Sequence, residues 1–198
     1  MPLQNRADPF GVLHAVASRG GMMGNRGGKF HRPDQSLGKR QYASRRWICC
    51  VCEFRGRQRQ VWGEGYTEIF FLDEVTALAG GHRPCFECRR ADAKDFANRF
   101  PRSGQVIPNA DAMDAVLHGQ RMALRGGERP KLAANALPDG AMIAIEGKPY
   151  AVKSGRLLAW SFQGYADSAT AGRAPVDVLT PLAIVETLRN GYAPRWHT

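Results

Sequence analysis

The apolar positions of this chain fall into short, sharply bounded groups rather than long periodic runs. Residues 47–54 (WICCVCEF) are mostly aromatic or apolar with no glycine or proline inside, which predicts a strand. Residues 66–72 (YTEIFFL) predict a second, and Gly63 and Gly65 mark a turn region between them, so the pair reads as an antiparallel hairpin. Asp73 then stands where a helix N-cap belongs, and Glu74 follows at the positive end of the helix dipole. Ala77, Leu78 and Ala79 favour a short helix that Gly80 and Gly81 stop. Over residues 86–100, Ala93, Phe96, Ala97 and Phe100 recur at the spacing of a buried helical stripe, ended by Pro101. Asn109 caps a further helix over residues 110–122, and residues 125–138, with Gly126, Gly127 and two prolines, read as a loop-rich linker.

From Gly140 onward the pattern switches to short strands over residues 141–145, 150–152 and 157–162, separated by polar turns, which predicts a β-meander. After a further polar loop, residues 176–179 predict a strand. Thr180 then caps, and Pro181 opens a last helix that ends near Gly191. The expected architecture is α+β. A hairpin-and-helix module is followed by a helical linker and a β-meander with a C-terminal helix, and the chain divides into residues 1–103 and residues 104–198.

With 198 residues, 43% hydrophobic and 23% charged, the composition is that of a globular chain and excludes wholesale disorder. No apolar run reaches membrane-spanning length and residues 1–10 lack the apolar centre of a signal peptide, so the expectation is a cytoplasmic protein without a membrane partner. The formal net charge is +10, and residues 1–60 carry 12 basic and 3 acidic residues, a net of +9. A local excess of that size points to a polyanion, usually nucleic acid. Its candidate contacts are Arg26 and Lys29 in the Gly-rich turn of residues 22–31, Arg45 and Arg46 before the first strand, and Arg55, Arg57 and Arg59 after it. Residues two apart in a strand share a face, so the last three form a guanidinium ladder suited either to phosphates or to guarding a strand edge against aggregation.

All five cysteines lie within residues 49–88, an odd, clustered set that argues against a disulfide framework. Cys85 and Cys88 have the CxxC spacing with which a backbone knuckle places two thiolates on one tetrahedral metal, zinc by default. Arg83 and Pro84 stiffen the approach to it. No Ser/His/Asp arrangement, HExxH or dinucleotide fingerprint is present.

The strand and helix of residues 66–79, followed by Gly80-Gly81-His82-Arg83-Pro84-Cys85-Phe86-Glu87-Cys88, resemble the zinc-binding module of the Ada-type DNA alkylation-repair proteins, which also occurs attached to nucleases. The resemblance covers about residues 45–92. It implies a zinc-stabilised fold with a DNA-binding face, in which an earlier strand supplies two further cysteines; in the repair proteins one zinc-bound cysteine accepts a methyl group from a DNA phosphotriester. Here the earlier strand carries Cys49, Cys50 and Cys52 instead of a pair separated by three residues. Cys50 is favoured as the third ligand. The fourth is Cys52 or a histidine, with His31 preferred because a neutral imidazole is the commonest partner of thiolates, and His82 ranked below it because the corresponding position of the resembled family accepts an aromatic residue.

Three functions follow. The first is a zinc-binding protein that meets nucleic acid through its basic N-terminal surface. The second is a metal-dependent hydrolase or transferase, with Glu64, Glu68 or Glu87 as general base beside an open coordination position. The third is an adaptor whose closed zinc serves folding and whose partner is another protein.

Overall fold

The computed structural model describes residues 1–58, 60–102 and 104–197. Among these residues lie two six-stranded sheets and four α-helices, so the fold is α+β. The first sheet contains β1 (Arg6–Ala7), β2 (Leu13–His14), β3 (Met22–Arg26), β4 (Trp47–Cys50), β5 (Ile69–Phe71) and β6 (Arg83–Pro84), in the order β2-β1-β5-β3-β4-β6. β4 and β5 do not form the expected hairpin, because β3 lies between them and runs antiparallel to both, with Met23 opposite Cys50 on one side and Phe70 on the other. The segment MMGNR reads as a turn because of its glycine and its polar end. Gly24 is nonetheless required in this strand, since a Cβ there would lie 2.2 Å from the Ile48 carbonyl oxygen and 2.8 Å from the Phe71 ring. The turn itself comes at Gly27 and Gly28, both with positive φ.

The predicted cap of α1 (Glu74–Ala79) is present: the Asp73 carboxylate accepts the Thr76 backbone N–H at 2.9 Å, and Gly81 leaves the helix at φ 77°. α2 (Arg90–Arg99) starts later than its apolar pattern suggests because residues 85–88 are wound into a knuckle. α3 (Ala110–Arg125) carries the predicted Asn109 cap. The second sheet comprises β7 (Lys131–Ala133), β8 (Met142–Ile145), β9 (Lys148–Lys153), β10 (Arg156–Ser161), β11 (Gly164–Thr170) and β12 (Pro175–Val178), in the order β11-β10-β9-β8-β12-β7. The meander is present, with α4 (Leu182–Arg189) after it, and it extends by one strand into the polar segment expected to be a loop. β11 is an edge strand, mostly exposed on both faces, so it lacks the apolar alternation that marks a half-buried strand.

The cores cross the chain's midpoint. Leu78, Phe96 and Phe100 pack with Met113, Leu117, Ile143, Val178 and Ile184, while Val75 and Ala79 pack with Met142, Ala151 and Leu179 on the other face of the second sheet. Residues from both sides of position 103 therefore fill the same clusters.

A buried polar cluster fixes the junction of α1, the knuckle and the C-terminal tail. The Glu74 carboxylate accepts from Arg89 Nη2 at 2.7 Å, the Tyr192 hydroxyl at 2.7 Å and the Arg195 backbone N–H at 2.9 Å. Burial works against the Arg89 charge, but the hydrogen bond to Glu74 and the charges of Cys49 and Glu74 outweigh it and raise the guanidinium pKa. Removing one partner leaves an uncompensated buried charge. Glu74→Ala is expected to lower the unfolding free energy by about 3–5 kcal/mol, measured by urea denaturation, whereas Glu186→Ala at an exposed pair should change it by less than about 1 kcal/mol.

Candidate metal centre

Strand alternation divides the first sheet into two faces. Cys49 points into the core with Ala7, Leu13, Met22, Ile69 and Phe71. Cys50, Ile48, Met23, Asn25, Phe70 and Glu68 instead line a cavity of about 320 Å³ on the opposite face. β6 pairs parallel with β4, Cys49 opposite Pro84, and the Cys85 backbone N–H donates to the Cys49 carbonyl at 3.0 Å. This pairing delivers the CxxC knuckle beside the end of β4. The sulfurs of Cys50, Cys85 and Cys88 lie within 4.8 Å of one another.

Hydrogen bonding within the cluster differentiates its members. The Cys85 thiol is held well below its ordinary pKa by hydrogen bonds from the Cys50 and Cys88 thiols, and further by the backbone N–H groups of Cys88 and Glu87. The Glu87 N–H lies 3.4 Å from Cys85 Sγ. Cys50, buried against the other two sulfurs, is pushed up by Cys85 and Cys88 and by its burial. Three soft sulfur donors suit zinc or another thiophilic ion, and their convergence without a disulfide gives the cluster the donor set of a metal site.

The remaining sequence candidates for the metal are not among the clustered sulfurs, although Cys52 lines the same cavity. Cys52 is exposed, its sulfur 3.8 Å from the Gly20 carbonyl oxygen. His31 is not brought to the cluster: its ring stacks on Trp62 at 5.3 Å, Nδ1 meets the Thr67 hydroxyl at 2.8 Å, and Nε2 faces the Gly63 carbonyl at 3.2 Å. The Thr67 oxygen already accepts the Phe30 and His31 N–H groups, so its proton goes to Nδ1 and the Nε2 proton goes to Gly63. His82 is buried between Trp47 and Phe71; it accepts from Arg26 Nε at 3.3 Å and donates from Nδ1 to the Ala77 carbonyl, and burial holds its pKa well down.

The basic candidates also separate. Arg26 is fully buried and stacks on one side of Trp47 at 4.2 Å, with Arg121 at 4.5 Å, so it is a core residue rather than a phosphate contact. Burial, together with Arg125 and Arg121, lowers its pKa to about 9. Lys29, Arg45, Arg46, Arg55 and Arg57 are exposed; Arg46 pairs with Asp111 at 3.1 Å and Arg57 with Glu87 at 2.6 Å. No ladder forms among the described residues after β4, because the strand ends at Cys50 and Arg55 and Gly56 turn the chain at φ 52° and 65°. Arg59 lies outside the described residues.

Of the three proposed general bases, Glu64 is fully exposed and Glu87 is held by Arg57, whereas Glu68 is buried on the cavity wall. Trp62 pins it twice: its backbone N–H donates to Glu68 Oε2 and its indole Nε1–H to the Glu68 carbonyl, both at 2.9 Å. Trp62 reaches this position at φ 58°, a conformation that bulky residues rarely adopt. The burial of Glu68 was not visible in the sequence, because its strand begins only at Ile69 and the residue that pins it lies in a loop.

No family model matches this chain, and no curated protein or solved structure matches it.

The geometry separates the cysteines sharply. Cys50→Ser, Cys85→Ser and Cys88→Ser are each expected to lose most bound metal on dialysis, whereas Cys52→Ser and His31→Gln should retain the wild-type content, read by elemental analysis of the purified variants.

Proposed function

We propose that the protein is a zinc protein of the hydrolase or transferase type, its ion held by Cys50, Cys85 and Cys88 with the remaining coordination position directed at the cavity. The observation that carries this reading is that the three sulfurs converge on the wall of a chamber large enough for a small molecule, with neither Cys52 nor His31 among them. A structural zinc has four protein ligands, whereas three protein ligands beside an accessible space are the arrangement of a reactive one. When bound, such an ion supplies Lewis-acid activation of whatever occupies its open position. The chain's own part is to hold three thiolates, to wall off bulk water with Ile48, Phe54 and Phe70, and to place Glu68 as a fixed proton acceptor.

The resemblance of residues 66–88 to the Ada-type module supports the same ion and the same knuckle. It also favours nucleic acid as a second reading. Arg55 and Arg57 each lie over the Phe54 ring, at 4.9 and 5.3 Å, in the loop that flanks the cavity, and both are exposed to an incoming strand. Nucleic-acid binding of this kind weakens steeply with salt and with Arg55→Ala/Arg57→Ala, measured by filter binding from low to high ionic strength.

X-ray absorption at the metal edge tests the primary reading. The expected result is roughly one zinc per chain with three sulfur neighbours at about 2.3 Å and one oxygen or nitrogen at about 2.0 Å. Four sulfur neighbours would instead make the ion structural and sink the hydrolase or transferase reading.

A further inference from the structure

The charge and shape of the cavity say what class of molecule it admits. With zinc bound, three coordinating thiolates leave the metal group one net negative charge, since coordinating thiols are deprotonated outright. Glu68 adds a second elsewhere in the lining of the same cavity, buried to 4% exposure. The pair at the cavity's edge, Arg57 and Glu87, is neutral as a unit. Most of the remaining lining is apolar or aromatic, with Ile48, Phe54 and Phe70 among it, and Asn25, Cys52 and Tyr66 add uncharged polar groups. An anion entering this space meets two negative charges with low-dielectric walls around them, whereas a cation or a neutral N–H donor is attracted. Flat aromatic walls favour a planar ring.

Glu68 is set to receive such a molecule. One of its oxygens is taken by the Trp62 N–H, and the residue lines the cavity. The carboxylate is oriented by a tryptophan held in an unfavourable backbone conformation and braced by His31, so its position is built rather than incidental. We infer that the cavity is the binding site of a small planar nitrogen compound, an amidine or amino-heterocycle, whose N–H groups are received by Glu68 beside the three-cysteine metal centre. This assignment rests on the metal reading above and extends it to the ligand. It also sets the cavity apart from any phosphate-binding surface, because a phosphate is the group this chamber repels.

Benzamidine and benzoate, alike in size and opposite in charge, test the inference by calorimetric titration of the full chain, with zinc measured on the same sample. Benzamidine is expected to bind saturably and to shift the visible bands of the cobalt-substituted protein, while benzoate does neither. Glu68→Gln keeps an acceptor for Trp62, and should weaken benzamidine by about tenfold or more with metal content and circular dichroism unchanged. A sample without stoichiometric metal overturns the metal reading and this inference together. A metal-loaded sample overturns this inference alone if benzoate binds as well as benzamidine, if benzamidine does not bind, or if Glu68→Gln leaves its affinity unaltered.

Discussion

The ion pair between Glu74 and Arg89 is the constraint on which the rest of the molecule depends. Arg89 follows the CxxC knuckle directly, and its guanidinium reaches Glu74 on α1, Asp92 on α2 and, at 3.6 Å, the sulfur of Cys49 on β4. Glu74 in turn holds Tyr192 and the backbone of Arg195 from the far end of the chain. A charge pair this deeply buried has a large desolvation cost, and it is stable only because nearly every lone pair and proton is spent on a partner. The consequence is geometric. The knuckle cannot shift along β4 without breaking the cluster, so Cys85 and Cys88 stay beside Cys50, one residue along from the Cys49 that Arg89 touches.

Charge is used in the same way elsewhere. Arg83 sits one residue before Pro84 and is buried against Asp114 at 2.7 Å, which ties β6 to α3. Arg26 and Arg121 both stack on Trp47, and Arg121 Nη1 and Nη2 donate to the carbonyls of Gly81 and Arg45. Among the described residues, Arg26, Arg83, Arg89 and Arg121 thus lie in the interior, where they join strands and helices. A net charge of +10 overstates the free positive surface accordingly. It counts residues whose charge is consumed by packing, and composition cannot distinguish these from solvated ones.

Helix signals were legible because they are local. The Asp73 and Asn109 caps, the Gly80-Gly81 stop and the stripe of Phe96, Ala97 and Phe100 each depend on residues within a turn or two, and each is realised. The metal cluster was legible in part for the same reason, since CxxC spacing is local and the strand period puts Cys49 and Cys50 on opposite faces. What could not be read was pairing between distant segments. β3 enters between β4 and β5 from more than 20 residues upstream of the cysteines, and nothing in MMGNR announces a central strand. His31 looked like a free imidazole because Thr67 and Gly63, which saturate its ring, are more than 30 positions away. Glu68 was one carboxylate among several until burial separated it from Glu64 and Glu87.

The loop of residues 51–67 joins these points, because it has no helix or strand among its described residues and yet closes the cavity. A loop this long is held by a few contacts rather than by a hydrogen-bonded ladder. Trp62 anchors it to Glu68 and stacks on His31, and Arg57 anchors it to Glu87, which lies inside the CxxC motif itself. The ligand-bearing knuckle and the cavity wall are therefore one mechanical unit. An ion that drew Cys50, Cys85 and Cys88 together would also fix Glu87, and through it Arg57 in the cavity lining. A metal held there would be coupled to the cavity's shape by this chain of contacts, which sets the three clustered cysteines at a chamber wall apart from Cys49, in the closed core one residue away.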